Sequence, residues 1–219
     1  MARFLLVRHA SAESDDADAP LTPRGVVEAH ALAHRLAGRG FDAVWCSDMA
    51  RAIQTAETIL SHSDGQPPLQ SPLLREVDHP PSLLSLMADP AGSSAWDCSA
   101  AAEVAERLRK WLRVARAAGI EGDSNPTILV VSHGGPLRVL ICLLLGLSPE
   151  AHWSFRVDHG SISELERGDD MGTLLRLNDC CHLEEDVHHE DTKTPTRTGT
   201  NKIDRISRID RTIRGRLSP

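Results

Sequence analysis

The chain has 219 residues, 41% of them hydrophobic, with 15 glycines: the composition of one globular domain, or one domain plus an appendage. Wholesale disorder is excluded, and the longest apolar run, Val139 to Leu147, is about half of the roughly 18 residues that a membrane helix needs. A net charge of −7, 3% aromatics and no tyrosine argue against nucleic-acid binding, whether by the whole surface or by base stacking.

The acidity is uneven. Residues 184–219 hold 8 Lys and Arg against 7 Asp and Glu, whereas residues 1–183 hold 16 against 24. An acidic body that binds an anion must gather its cations locally. The first residues carry no long apolar segment and no cleavage site, so a cytoplasmic chain is expected. Five scattered cysteines without Cys-x-x-Cys spacing predict neither a disulfide framework nor a structural zinc site.

Arg3 to Arg8 is the first element, a continuous apolar run of the kind a parallel strand shows when both faces are covered. A polar loop, Ala10 to Ala19, leads to a helix starting at Thr22 and Pro23, with Thr22 as N-cap and Ala29, Leu32, Ala33 and Leu36 as its apolar stripe. Gly38 and Gly40 close it. A strand over Asp42 to Cys46 precedes a helix from about Met49 to Leu60. A Pro-, Gly- and Ser-rich loop, Ser61 to Pro72, then leads to a short apolar segment, Leu73 to Val77.

Ala100 to Ala118 reads as a long helix and Thr127 to Ser132 as a second continuous apolar strand. The turn His133-Gly134-Gly135-Pro136 launches a helix over Leu137 to Leu145. Ser154 to Val157, Ser161 to Glu166 and Thr173 to Leu177 alternate like more exposed strands. Strands alternating with helices predict an α/β fold, a three-layer α/β/α sandwich around a mostly parallel central sheet. After Leu183 the pattern stops. Residues 184–219 read as a polar, solvated and disordered tail, although Ile203, Ile206, Ile209 and Ile213 keep helical spacing. His182, His188 and His189 among acids read as incidental rather than as a metal site.

Two apolar strands end in a histidine that the pattern does not require, Arg8-His9 and Ser132-His133. Either histidine alone reads as a strand-end residue with a satisfied hydrogen bond. In an open α/β sheet, however, groups just beyond the carboxyl ends of strands line the binding crevice. If the two strands are neighbours, His9 and His133 converge there with Arg8, and Gly134 and Gly135 open a helix N-terminus to an anion. Arg51 falls in the first turn of a helix at the same sheet edge, where the dipole disfavours a cation and a cationic task explains it. Glu76 leaves its short segment among prolines.

These residues together resemble the histidine phosphatase superfamily, the phosphoglycerate mutase-like family. The resemblance rests on Arg8-His9, on Leu21-Thr22 followed by Gly25, and on Ser47…Arg51-Ala52-Ile53-Gln54-Thr55-Ala56. Leu74-Arg75-Glu76 and Ser132-His133-Gly134-Gly135-Pro136 complete it, in the family's order. The segment closing at His182 is similar to the end of compact members such as α-ribazole phosphatase. The resemblance implies a phosphoglycerate mutase-like fold and a phosphatase in which His9 is the nucleophile. Arg8, Arg51 and His133 would surround the phosphoryl oxygens, with Gly134 at the helix N-terminus, and Glu76 would serve as proton donor. It implies no cofactor and no metal, a small phosphorylated substrate, and inorganic phosphate as product.

The chain departs from the family at Ala10 and Ser11, where common members carry glycine and an acidic residue; Ser11 retains hydrogen-bonding capacity toward phosphate. Val77-Asp78-His79-Pro80-Pro81 replaces the usual segment after Glu76, which makes Asp78 a substitute candidate for the proton donor. Only 57 positions separate Glu76 from His133, too few for the large insertion of phosphoglycerate mutases, so hydrolysis is expected over mutase chemistry. The reading is a domain over residues 1–183 that hydrolyses a small phosphorylated metabolite, α-ribazole-phosphate-like among the options. Alternatives left open are a phosphohistidine protein phosphatase, a phosphoglycerate mutase and a non-catalytic phosphate-binding module. Neither nucleic acid nor membrane is an expected partner, and the oligomeric state is not encoded legibly.

Overall fold

A computed structural model describes residues 1–61, 67–76, 93–115, 125–168 and 171–183, the side chains of 93–99 excepted. Its centre is a mixed sheet of six strands: β1 (Ala2–Arg8), β2 (Ala43–Ser47), β3 (Leu69–Ser71), β4 (Thr127–Ser132), β5 (Ile162–Arg167) and β6 (Gly172–Asp179). They lie in the order β3-β2-β4-β1-β5-β6. β4 pairs in parallel with both β1 and β2, and β2 in parallel with β3. β5 runs antiparallel to β1 and to β6. Among the described residues, four helices, α1 (Pro23–Leu36), α2 (Ala50–Leu60), α3 (Ser93–Ala115) and α4 (Gly134–Leu145), cover the two faces.

The continuous apolar strands behave as two interleaved sets. Phe4, Leu6, Ile128 and Val130 pack with Val104, Leu108 and Trp111 of α3 and with Leu137, Leu140 and Ile141 of α4. Leu5, Val7, Leu129 and Val131, pointing the other way, pack with Leu32 and Leu36 of α1 and Ala52, Ala56 and Ile59 of α2. Each such fully buried side chain stabilises the fold by about 2 kcal/mol relative to exposure. A polar substitution in β1 or β4 would therefore strike one helical layer or the other.

The helix signals act as read. Thr22 accepts a hydrogen bond from the Gly25 amide at 3.0 Å, and Pro23 occupies the first turn of α1. α4 ends at Gly146, whose φ of 72° favours glycine, and the Leu147 amide turns back to the Cys142 carbonyl at 2.8 Å.

Other boundaries differ. Ser154–Val157 is not a strand: a 3-10 helix over Pro149–Ser154 is followed by irregular chain up to β5. Pro149 favours that helical start, and the Phe155 amide bonds the His152 carbonyl instead of a strand neighbour. The segment read from Leu73 is likewise a 3-10 turn, Pro72–Leu74, with the Ser71 hydroxyl capping the Leu73 amide. The strand at that edge is Leu69–Ser71, inside the stretch expected to be loop. At three residues, with Leu69 exposed, it carries no hydrophobic pattern to read. α3 starts at Ser93, before Ala100, and α4 starts at Gly134, before Leu137. Expectations for residues 77–81, for 116–118 and for the tail after 183 lie outside the described residues. Among the described residues, no helix is long and apolar enough to cross a membrane.

Gly25 is where α1 is pressed against the loop after β1. A Cβ built there would stand 1.9 Å from the Ser11 carbonyl oxygen. Backbone cannot yield as a side chain does, so Gly25→Ala is expected to cost on the order of 2 kcal/mol and lower the melting temperature by several degrees. Thermal melts of the two proteins check this; coincident curves would mean that the close approach is relieved at no cost.

Candidate active site

The site follows from one register. β1 and β4 are adjacent and parallel with Arg8 opposite Ser132, so the residues that follow, His9 and His133, emerge side by side. The His9 amide bonds the Ser132 carbonyl at 2.9 Å and carries the alignment one residue beyond the sheet. From there the chain parts, toward α1 on one face and into α4 on the other. That divergence opens a crevice at the carboxyl ends of the strands.

His9 is buried, with its ring centroid 4.9 Å from that of His133. Its Nδ1 lies 2.8 Å from the Ala10 carbonyl oxygen. A carbonyl only accepts, so Nδ1 carries the proton and Nε2 keeps its lone pair. Arg51 Nε donates to that Nε2 at 3.2 Å. Arg51 is itself 1% exposed, the second residue of α2, and its Nη1 is tied to the carbonyls of Asp15 and Asp16 at 3.3 and 2.7 Å. Thr55 clamps the two elements: its hydroxyl donates to the Arg51 carbonyl and accepts from the Ala10 amide.

Arg8 leans across the mouth, with Nη1 on the Val157 carbonyl at 2.9 Å. A Cβ on Gly134 would lie 3.4 Å from the Arg8 guanidinium carbon, so the bare glycine leaves room for that group. His133 is fully buried, and among the described residues neither of its ring nitrogens has a hydrogen-bond partner; Arg8 Nε lacks one there too. Buried polar atoms without partners are costly. They lie close to Arg51, whose charge acts with that of Arg8 on the His133 ring.

Charge tells the same story. Burial first, then the fields of His159, Arg51 and Arg8, pushes the His9 pKa from its ordinary 6.5 down to about 3. His133 is driven lower still, again by burial before neighbouring charge. Burial also lowers Arg8 and Arg51, although Glu76 pulls both back up. The site therefore holds desolvated cations and neutral imidazoles, the electrostatic complement of a phosphate.

Glu76 is brought to the same edge. Its Oε2 accepts from the Gly135 amide, in the first turn of α4, at 3.4 Å. Its segment is pinned by the Ser132 hydroxyl on the Leu74 carbonyl at 2.6 Å and by the Arg75–Asp48 pair at 2.7 Å. Arg107 adds a bond to the Arg75 carbonyl. Ser11 is placed differently from the rest. Its hydroxyl and amide both donate to Glu28, at 3.1 and 2.8 Å, so its one hydroxyl proton is committed to that carboxylate. Asp78 lies outside the described residues. Among the described residues, no three His, Cys, Asp or Glu side chains gather as a metal site would require.

Sequence reasoning missed His159, Glu28 and Arg138. The ring of His159 lies 5.1 Å from that of His9. It also lines an open cleft of about 470 Å³ with Arg8, Ser11, Arg24, Glu28 and Asp158. Glu28 is 7% exposed and holds Ser11 and Arg24 together. Arg138 stands near Arg8, with its guanidinium over the Trp153 ring. A signal existed only for Arg138, a lone cation in the otherwise apolar α4.

The buried imidazoles give stability a pH dependence. Below pH 6.5 the unfolded chain protonates His9, whereas the folded chain does not until about pH 3. The unfolded state then binds more protons, so folding weakens as pH falls through that window. Between pH 7.5 and 5, His9 alone is expected to cost on the order of 2 kcal/mol. Denaturant melts should show a shallower acid decline for His9→Asn than for the unsubstituted protein; equal slopes would refute the assignment.

Residues 4–180 match the model of the histidine phosphatase superfamily, branch 1. The adenosylcobalamin/alpha-ribazole phosphatase of Escherichia coli K12 is 35% identical over 201 residues, covering 80% of this chain and 95% of that protein. Phosphoserine phosphatase 1 of Hydrogenobacter thermophilus is 27% identical, covering 84% and 96%. The crystal structure of the alpha-ribazole phosphatase from Shigella flexneri superposes with a TM-score of 0.63 at 30% identity, over 81% of this chain and 96% of that one. The chain belongs to the histidine phosphatase superfamily and is a phosphatase of that type.

Proposed function

We propose that residues 1–183 form a metal-independent phosphomonoesterase that hydrolyses a small phosphorylated metabolite through a phosphohistidine on His9. One observation carries the reading. The Ala10 carbonyl holds the His9 proton on Nδ1, so the Nε2 lone pair points at the Arg51 guanidinium, beside a His133 ring whose nitrogens have no hydrogen-bond partner among the described residues.

A phosphate monoester entering the crevice replaces the missing partners. Its equatorial oxygens accept from the guanidinium groups of Arg8 and Arg51, from His133 and from the amide at Gly134. Arg51 Nε must leave His9 for phosphate, which hands the lone pair to phosphorus. The N–P bond forms as the ester P–O bond breaks, and the departing oxygen takes a proton from Glu76. Water then gives a proton to the Glu76 carboxylate and attacks phosphorus; the N–P bond breaks and inorganic phosphate leaves. Phosphoryl transfer spreads charge over the equatorial oxygens, so preorganised cations that lower this charge are the main source of acceleration. Two guanidinium groups already supply that charge.

For the substrate, the relatives named for alpha-ribazole favour a phosphorylated nucleoside-like metabolite. The polar lining of the open cleft, with Arg24, Glu28 and Asp158, favours instead a small charged ester, in keeping with the relative named for phosphoserine. A panel of both ester types ranked by kcat/KM decides between them.

Purified protein is expected to release phosphate from p-nitrophenyl phosphate in EDTA and to retain an acid-labile phosphoryl label that His9→Ala lacks. Release only with added magnesium, or labelling of His9→Ala, would reject the mechanism. Glu76→Gln is expected to lower kcat for an alkyl phosphate about 100-fold or more, and much less for p-nitrophenyl phosphate, whose leaving oxygen needs no proton. An equal loss on both esters would move the proton donor elsewhere, with Asp78 next in line.

A further inference from the structure

We propose that His159 is a positioning residue for the nucleophile, its imidazole bracing the ring of His9 so that Nε2 keeps its aim at phosphorus. The inference rests on His9 being the nucleophile. His9 is flanked by two imidazoles at similar separations, His133 at 4.9 Å and His159 at 5.1 Å, tilted by 60° and 55°. His133 belongs to the phosphoryl pocket. His159 arrives from the far side of the chain, on the turn before β5.

That turn is held unusually firmly for a loop. The Gly160 amide bonds the carbonyls of Arg8 and His9 at 3.1 and 3.3 Å, so the turn is stitched to the backbone of the nucleophile itself. Arg8 Nη1 grips the Val157 carbonyl, and the His182 ring bonds the Gly160 carbonyl at 2.9 Å. Asn178 takes both the amide of Asp158, at 2.6 Å, and its carboxylate, at 2.9 Å. It does so with φ at 52°, a left-handed conformation uncommon outside glycine and most tolerated by asparagine.

All this bracing presents a half-buried ring beside that of His9. What His159 does touch is His9. The His9 ring is otherwise fixed by one bond at Nδ1 and by Arg51 at Nε2, and the second must break when phosphate binds. At that moment the flanking rings are what stops the imidazole from tilting, and small misplacements of a reacting atom are costly.

Three substitutions test this: His159→Phe keeps a ring and loses polarity, His159→Asn keeps polarity and loses the ring, and His159→Ala loses both. With p-nitrophenyl phosphate, Asn and Ala are expected to lower kcat roughly tenfold or more, with KM within about threefold, while Phe stays near the starting kcat. Phosphoenzyme formation in rapid quench should slow in parallel. Activity rescued by Asn and not by Phe would make His159 a polar contact to substrate and overturn the proposal. Unchanged activity in all three would overturn it as well. If Asn or Ala melts below the assay temperature, the imidazole nitrogen resonances of His9 in the Phe variant decide: unmoved signals support the brace and shifted signals reject it. Absence of a His9-dependent label in the unsubstituted protein would fail the nucleophile assignment instead, which separates the two.

Discussion

The parallel pairing of β1 with β4 is the constraint on which the site depends. Phe4–Val7 of β1 and Ile128–Val131 of β4 contribute no chemistry; both stretches are apolar and buried. Their alignment, with Arg8 opposite Ser132, converts two distant sequence positions into adjacent imidazoles. A slip of one residue would turn every side chain of a strand to the opposite helical layer. The interleaved sets Phe4/Leu6 and Leu5/Val7, each matched to its own pair of helices, oppose such a slip. The core thus stabilises the fold and sets the spacing of His9 and His133 by the same contacts.

Within that frame the site is locally unfavourable. Two arginines and two imidazoles share a region from which water is largely excluded, and burial lowers the pKa of all four. The polypeptide offsets part of this with neutral dipoles, since the carbonyls of Asp15, Asp16 and Val157 hold the guanidinium groups. It leaves both nitrogens of His133 unsatisfied. On the proposed reading, a bound phosphate would supply the acceptors and the negative charge that the chain withholds. Binding and transition-state stabilisation then draw on the same deficit, which grows as the phosphoryl oxygens gain charge.

The layers of the fold were legible because buried strands and amphipathic helices write their packing into local patterns. Arg8, His9, Arg51 and His133 were legible as polar residues at the ends of those patterns, where a core gives no reason for them. β3 was not, because three residues at a sheet edge need no hydrophobic code. Ser154–Val157 misled because alternation over four residues is too short to separate a strand from a 3-10 turn followed by irregular chain. Glu28 reads in the sequence as a charge on a solvated helix face. It is buried because Gly25 lets α1 press onto the loop carrying Ser11, a contact fixed by tertiary packing alone.

His159 illustrates the same limit at the reacting centre. Nothing around Asp158-His159-Gly160 marks it, since the turn has no periodicity and the histidine stands alone. Its place depends on β5 returning antiparallel beside β1, which sets Val7 opposite Ile162 and draws the turn over the end of the first strand. The parallel half of the sheet thus brings His9 and His133 together, and the antiparallel half delivers the third imidazole and one wall of the cleft. The two halves carry different freedom to vary. A change at the β1–β4 edge alters the reacting groups themselves, whereas a change in the turn before β5 alters what surrounds them. Divergence of substrate among members of one phosphatase fold is therefore most readily accommodated in that turn and in the first turns of α1, where Arg24 and Glu28 meet it across the cleft.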